Sequence, residues 1–287
     1  MYKILHKKSL APLVDKMVID APYIARHARA GNFVVLRLHE KGERIPLTIA
    51  DSDRDKGAIT LLFQKVGKTT NELGMLNPGD SIRDIAGPLG HPTPVSKYGH
   101  CVLVGGGIGS ATLYPILKAL KDAENKITVI LGARTKELLI WEDKFREHAN
   151  EMLLATDDGS SGRKGLVTDV LKEVIERGPV DLVIAVGPIR MMKAVSDLTR
   201  PYKVKTIVSL NPVMVEGTGM CGACRVSIGG KTRFACADGP EFDAHEVDFK
   251  ELENRLSFYK KEEEQSYNLF IRKTKKGIKD SRGQGVK

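Results

Sequence analysis

At 287 residues the chain is long enough for two domains that each bury a core, and its 41% hydrophobic and 28% charged residues are those of an ordinary soluble globular protein. No window approaches the ~18 uninterrupted apolar residues of a membrane span, and the opening Met-Tyr-Lys-Ile-Leu-His-Lys-Lys lacks the apolar core of a signal peptide, so a cytoplasmic protein is expected. The net charge of +9 does not describe a nucleic-acid-binding face, because residues 272–287 hold seven basic side chains against Asp280 and leave little excess charge on the body.

From residue 2 to about 84, short β-prone runs at 17–19, 32–38, 47–50 and 59–65 are punctuated by Gly31, Gly42, Gly57 and Gly79. Strand lengths separated by turn residues predict an antiparallel barrel of about six strands. Two stretches within it suit phosphate chemistry. In Arg44-Ile45-Pro46-Leu47-Thr48 a guanidinium beside a turn and a hydroxyl at a strand start fit a pyrophosphate and a flavin ring edge, although a surface arginine and a turn proline fit equally well. Val66-Gly67-Lys68-Thr69-Thr70 is not a P-loop, since that motif needs glycine at position 62, which is Leu62. Gly67, Lys68, Thr69 and Thr70 instead open a short helical run at 71–76, where helix N–H groups bind phosphate or the threonines simply cap the helix.

After Gly90-His91-Pro92-Thr93-Pro94 the pattern changes. Apolar strands at 101–104, 127–131, 152–155, 182–186 and 206–210 alternate with helical segments at 111–121, 135–148, 166–177 and 190–199, which predicts a doubly wound parallel α/β sheet. Gly105, Gly106, Gly107 and Gly109 fill the first strand-to-helix turn, where a dinucleotide phosphate meets a helix N-terminus. Arg134 follows the second strand, a position for nucleotide phosphate or ribose, and Gly187-Pro188 ends a later strand beside the expected nicotinamide. Cys101 reads as a buried core thiol.

Three of the four cysteines then crowd into one loop: Cys221, Cys224 and Cys236 are separated by two and eleven residues. Counting back from Cys221 over four residues reaches Glu216, so the spacing is C-x4-C-x2-C plus a distant cysteine with Glu216 in the first position. A [2Fe-2S] cluster on three thiolates and one carboxylate is the sharper reading. A zinc site on the three cysteines and His245 is the plainer one. Residues 249–276 read as a charged helix.

Several separated motifs in this order resemble the ferredoxin-NADP reductase superfamily, in the branch of flavoprotein electron-transfer subunits similar to those of dihydroorotate dehydrogenase. The wording Arg-Ile-Pro-Leu-Thr-Ile-Ala-Asp, Gly-Thr-Gly-Met-Cys-Gly-Ala-Cys-Arg-Val and Asp-Gly-Pro-Glu-Phe-Asp resembles the small subunits of electron-bifurcating NADH-dependent reduced ferredoxin:NADP oxidoreductases. The resemblance implies an FAD-binding β-barrel over 1–95, an NAD(P)-binding α/β domain over 96–210, a [2Fe-2S] segment over 211–248 and a charged helix with a basic tail over 249–287. It implies FAD on Arg44 to Thr48 and Gly67 to Thr70, NAD(H) on the Gly105 to Gly109 turn, and a cluster on Glu216, Cys221, Cys224 and Cys236. It further implies hydride transfer from NADH to FAD, then single electrons through the cluster to a larger, glutamate-synthase-like FAD and [4Fe-4S] subunit of a heterodimer that reacts with ferredoxin. Family members with an acidic first ligand have aspartate there, which brings Asp238 and Asp243 in as substitutes for Glu216, and the dihydroorotate type has cysteine.

Overall fold

The computed structural model describes residues 1–283, with side chains described as far as Thr274. Most of the basic tail, from Lys275 onward, therefore lies outside the described side chains. The chain opens with β1 (Tyr2–Ala11), β2 (Val14–Asp20), α1 (Pro22–His27), β3 (Phe33–Arg37), β4 (Arg44–Asp53), β5 (Ala58–Gln64), α2 (Lys68–Met75), β6 (Ser81–Ile82) and β7 (Asp84–Leu89). These seven strands form one antiparallel sheet in the order β6-β1-β2-β5-β4-β3-β7. Alternation builds its core: β2 buries Met17 and Ile19 and leaves Lys16 and Val18 half-buried between them. The expected six strands are thus seven, because β1, rich in lysine and half-exposed, hides its strand character in a charged sequence.

The second layer runs β8 (His100–Gly106), α3 (Ser110–Asp122), β9 (Lys126–Ala133), α4 (Glu142–His148), β10 (Glu151–Thr156), β11 (Arg163–Lys164), α5 (Val167–Arg177), β12 (Leu182–Val186), α6 (Ile189–Thr199) and β13 (Lys205–Ser209). All six strands are parallel in the order β11-β10-β9-β8-β12-β13, so the winding reverses between β8 and β12. The helix expected at 135–148 is broken by Trp141, whose φ of +59° ends a 3-10 turn at Lys136–Leu138 before α4 begins.

The remaining chain adds β14 (Arg225–Ile228), β15 (Lys231–Phe234), α7 (Ala235–Asp238), β16 (Glu241–Asp243), α8 (Phe249–Leu256) and α9 (Lys260–Gly283). The single helix expected at 249–276 is two, interrupted at 257–259. Strand β16 joins the parallel sheet antiparallel to β13. Cys224, Val226, Cys236 and Leu252 share a core with Met192 and Val195 of α6 and with Phe33 and Val35 of the barrel, so this segment is packed on both layers. Among the described residues no helix is long and apolar enough to cross a membrane.

Glu241 sits where these parts meet. Its Oε1 accepts a 2.7 Å hydrogen bond from Thr93 Oγ1, while the buried Oε2 has no partner among the described residues. Burial pushes its pKa up from 4.5 to about 7. The folded protein therefore holds this proton more tightly than the unfolded chain. The favourable contribution is complete below pH 4.5 and is lost as pH rises to 7, a change of about 3 kcal/mol. Glu241→Gln is accordingly expected to raise the melting temperature by several degrees at pH 8 and little at pH 4.5, as read by calorimetry.

Candidate functional site

A cleft of about 600 Å3 opens between the barrel and the C-terminal edge of the parallel sheet, within the ordinary range for a cofactor site. The barrel contributes Phe33, Pro46, Leu47, Thr48 and Gln64, and the sheet contributes Gly106, Gly107, Gly109, Arg134, Gly187 and Pro188. Residues singled out at four distant places in the sequence thus face one space. The turn is tight for a steric reason. A Cβ on Gly109 would lie 2.5 Å from the Val186 carbonyl oxygen and 2.8 Å from Gly187 Cα, so glycine there lets α3 start directly against the end of β12. Gly105 packs just beneath the turn, its Cβ position 2.9 Å from Ser110 Oγ.

On the barrel wall, Ile45 and Leu47 pack against the barrel core, so by alternation Arg44, Pro46 and Thr48 share the other face of β4. Arg44 is exposed and on the face of Thr48. Arg44 does not line the cleft itself, and neither do Gly67, Lys68, Thr69 and Thr70. Those four lie at the start of α2 beside the residue before Arg44: Lys68 Nζ is 3.7 Å from Glu43 Oε1, and Thr69 Oγ1 donates to Glu43 Oε2 at 2.5 Å. The anion at this helix start is the chain's own Glu43, and Thr70 Oγ1 accepts from the Gly67 N–H at 3.1 Å.

The chain between β13 and α8 brings the thiols together. Cys224 and Cys236 are buried with their Sγ atoms 3.1 Å apart, and Cys221 is exposed. The Gly219 N–H donates to Cys236 Sγ at 3.1 Å and the Cys236 N–H to Cys224 Sγ at 3.4 Å. Backbone donors aimed at sulfur are what a thiolate-held cluster requires. Burial, with the adjacent Cys224, pushes the Cys236 thiol up to about 12. The loop reaches the barrel through Gly217, whose φ is +85° and whose Cβ would fall 2.6 Å from Leu89 Cδ1.

This donor set fits an iron-sulfur cluster better than zinc. A [2Fe-2S] cluster divides its four ligands between two irons, which suits a close Cys224–Cys236 pair with Cys221 and one further group beside it. His245 is committed elsewhere, its Nε2 bonded to Thr199 Oγ1 at 3.0 Å. Asp238 Oδ2 accepts from the Phe234 N–H at 2.7 Å, and Asp243 Oδ1 accepts from the His245 N–H at 2.9 Å. Glu216 is exposed, and among the described residues its Oε2 accepts one hydrogen bond, from Thr218 Oγ1 at 3.4 Å.

Sequence reasoning missed part of the cleft: Asp157 after β10, Ser209 at the end of β13, Asn211 and Met214 after it, and Phe33. The signal was available for Asp157 and Ser209, since ligands of a doubly wound sheet gather at the carboxyl ends of all its strands. Phe33 belongs to a hydrophobic run that carries no motif.

Comparison with known proteins supplies relatives. The iron-sulfur cluster binding domain of dihydroorotate dehydrogenase B matches residues 211–248, and an oxidoreductase NAD-binding domain matches residues 103–197. The chain is 51% identical over 270 residues to a Thermotoga maritima protein described as a homolog of the dihydroorotate dehydrogenase B (NAD(+)) electron transfer subunit, covering 94% of this chain and 95% of that one. It is 36% identical over 256 residues to the corresponding electron transfer subunit of Desulforamulus reducens, covering 85% and 96%. A solved structure of the NADH-dependent reduced ferredoxin-NADP oxidoreductase, described for flavin-based electron bifurcation, superposes with a TM-score of 0.90 at 49% identity over 94% of this chain and 98% of that one. A ferredoxin NADP+ reductase from Neisseria gonorrhoeae with bound FAD and NADP shares the fold at 20% identity, with a TM-score of 0.58 over 70% and 90% of the two chains.

Proposed function

Because the chain belongs to the family of dihydroorotate dehydrogenase B electron transfer subunits and their homologues, we propose that it carries FAD and a [2Fe-2S] cluster between NAD(H) and a second subunit, as the small subunit of an electron-bifurcating NADH-dependent ferredoxin:NADP oxidoreductase. It is an oxidoreductase subunit with an NAD-binding layer and an iron-sulfur segment. The observation that carries the reading is the union, in one chain, of a dinucleotide-sized cleft and a buried thiol pair, both packed against Phe33 and its strand.

When bound, FAD supplies the conversion between two-electron hydride chemistry and single-electron transfer. The chain's own residues do the rest. Pro46, Leu47 and Thr48 present a wall to the flavin ring; Gly106, Gly107 and Gly109 admit the nucleotide phosphates to the α3 N-terminus; Gly187 and Pro188 bound the nicotinamide end. Arg44, with Gly67 to Thr70 beside Glu43, is available to the flavin pyrophosphate. Cys221, Cys224 and Cys236 hold the cluster, with Glu216 as the remaining ligand.

The electron acceptor is a larger FAD and [4Fe-4S] subunit, and its approach is from the side of Cys221. That thiol lines a groove with Val215, Phe258 and Tyr259, and Met220, Phe258 and Tyr259 are 85%, 62% and 57% exposed. Apolar exposure of this kind supports a covered face in the complex. A dihydroorotate dehydrogenase partner is the second reading, favoured by the descriptions of the relatives. Glu216, where that type has cysteine, favours the first. Purifying the native complex decides between them: a ferredoxin- and NADP-reactive flavoprotein as companion supports the bifurcating assignment, and an orotate-forming one overturns it.

Glu216→Cys is expected to keep about two irons per chain and to shift the electron paramagnetic resonance spectrum of the reduced protein. An unchanged spectrum would remove Glu216 from the ligand set.

A further inference from the structure

The flavin wall on β4 and the helix α3 that follows the nucleotide turn pack against each other beside the cleft. Thr48 on β4 accepts from Thr112 Oγ1 on α3 at 3.2 Å. Three residues beyond Thr48, the register of β4 against β5 shifts between Ile49 and Asp51, and such a shift re-aims a side chain. Asp51 Oδ1 takes a 2.6 Å bond from Lys118 Nζ of α3, and its Oδ2 lies 3.5 Å from Lys144 Nζ of α4. Among the described residues these three contacts are the side-chain hydrogen bonds and ion pairs that join barrel strands to helices of the α/β layer.

The lysines are themselves held. Lys144 Nζ lies 4.5 Å from the Trp141 ring centroid and 4.7 Å from that of Tyr114, and Lys118 Nζ lies 4.9 Å from Tyr114. Trp141 takes the left-handed conformation that presents its ring there. Lys16, on the barrel face, adds a further positive charge whose pKa is lowered by burial and by Lys144 and Lys8 and raised by Asp51. One carboxylate thus faces ammonium groups from both layers, and without it those layers repel.

We propose that Asp51 is a positioning residue for the hydride step: gripped by Lys118 and Lys144, it fixes the α/β layer against the barrel so that the nicotinamide end of the cleft stands at reacting distance from the flavin wall. The inference rests on the reading of the cleft given above. Hydride transfer requires an approach of about 3–3.5 Å, and a displacement of roughly 1 Å costs on the order of 100-fold in rate. The Lys118 and Asp51 side chains are 36% and 25% exposed, so solvent screens the pair only in part and the test has to read geometry beside stability.

The test is anaerobic stopped-flow reduction of the holoprotein by NADH. Asp51→Asn and the double variant Lys118→Met/Lys144→Met are expected to slow flavin bleaching at saturating NADH by about tenfold. The NADH concentration dependence should move less than about twofold, and flavin and iron contents should match the wild type. The NADH–flavin charge-transfer absorbance should weaken, and Asp51→Glu should restore both rate and band. Rates and band within twofold of wild type in both variants would overturn the proposal, as would loss of rate only in step with lost flavin and melting temperature. If the wild type itself is not bleached, the functional reading fails on its own account. Hydrogen exchange then judges the contact: amides of β4 and α3 should exchange at least about fivefold faster in Asp51→Asn, and equal exchange would refute it.

Discussion

Cys236→Ala is expected to strip the chain of iron while leaving its flavin chemistry in place. Cys236 is the hub of the thiol arrangement: its Sγ is 3.1 Å from Cys224 Sγ, and it receives the Gly219 N–H at 3.1 Å. Losing it removes one thiolate of the close pair and the acceptor that orients the loop at Gly219. Iron should fall from about two per chain to below about 0.2, and electron delivery to the partner by at least on the order of 100-fold. Flavin bleaching by NADH should stay within about threefold, because the cleft is lined by residues elsewhere in the chain. Metal analysis beside stopped-flow spectroscopy reads both halves. Iron retained near two per chain would mean that Cys236 is not a ligand.

Gly109→Ala is the second large effect, and it falls on the nucleotide. The added carbon would stand 2.5 Å from the Val186 carbonyl oxygen and 2.8 Å from Gly187 Cα. Both obstacles are backbone, so relief requires separating the start of α3 from the end of β12, the two sides of the crevice where the winding of the sheet reverses. The NADH dissociation constant is expected to rise on the order of 100-fold, with stability lowered by about 2 kcal/mol from overpacking. Flavin content should be little changed. The dependence of the bleaching rate on NADH concentration measures it, and an unaltered affinity would place the nucleotide away from this turn.

The parallel layer was the most legible part of the chain in its sequence. Its strands are continuous apolar runs such as Leu182 to Val186, buried throughout, and a run of that kind between helical patterns has few alternatives. The glycine turn and the cysteine spacing were equally readable, because both chemistries demand fixed residues at fixed intervals. The barrel was harder. Strand β1 carries three lysines and buries Ile4 with little else around it, so neither hydrophobicity nor alternation marks it. Strand β16 is three residues long and owes its place to pairing with β13, a contact over thirty residues away in the chain.

The same limit applies to the site. Arg44 was found by type, but only the alternation of β4 shows that it shares a face with Thr48. Nothing in the local sequence connects Glu43 with Lys68 and Thr69, or Asp51 with Lys118 and Lys144, since each pairing is made by the fold. Asp157 stands past the third strand and belongs to no motif, whereas the cleft collects residues from five strand ends at once, those of β8, β9, β10, β12 and β13.

The central property of this protein is that one chain joins a flavin to an iron-sulfur cluster and takes electrons from NADH. An anaerobic NADH titration of the purified protein, followed in the visible spectrum, tests it most directly. The expected starting material is brown-yellow with overlapping flavin and cluster absorption, and NADH should bleach it. A colourless protein containing zinc, or a coloured one that NADH leaves unchanged, would contradict the claim.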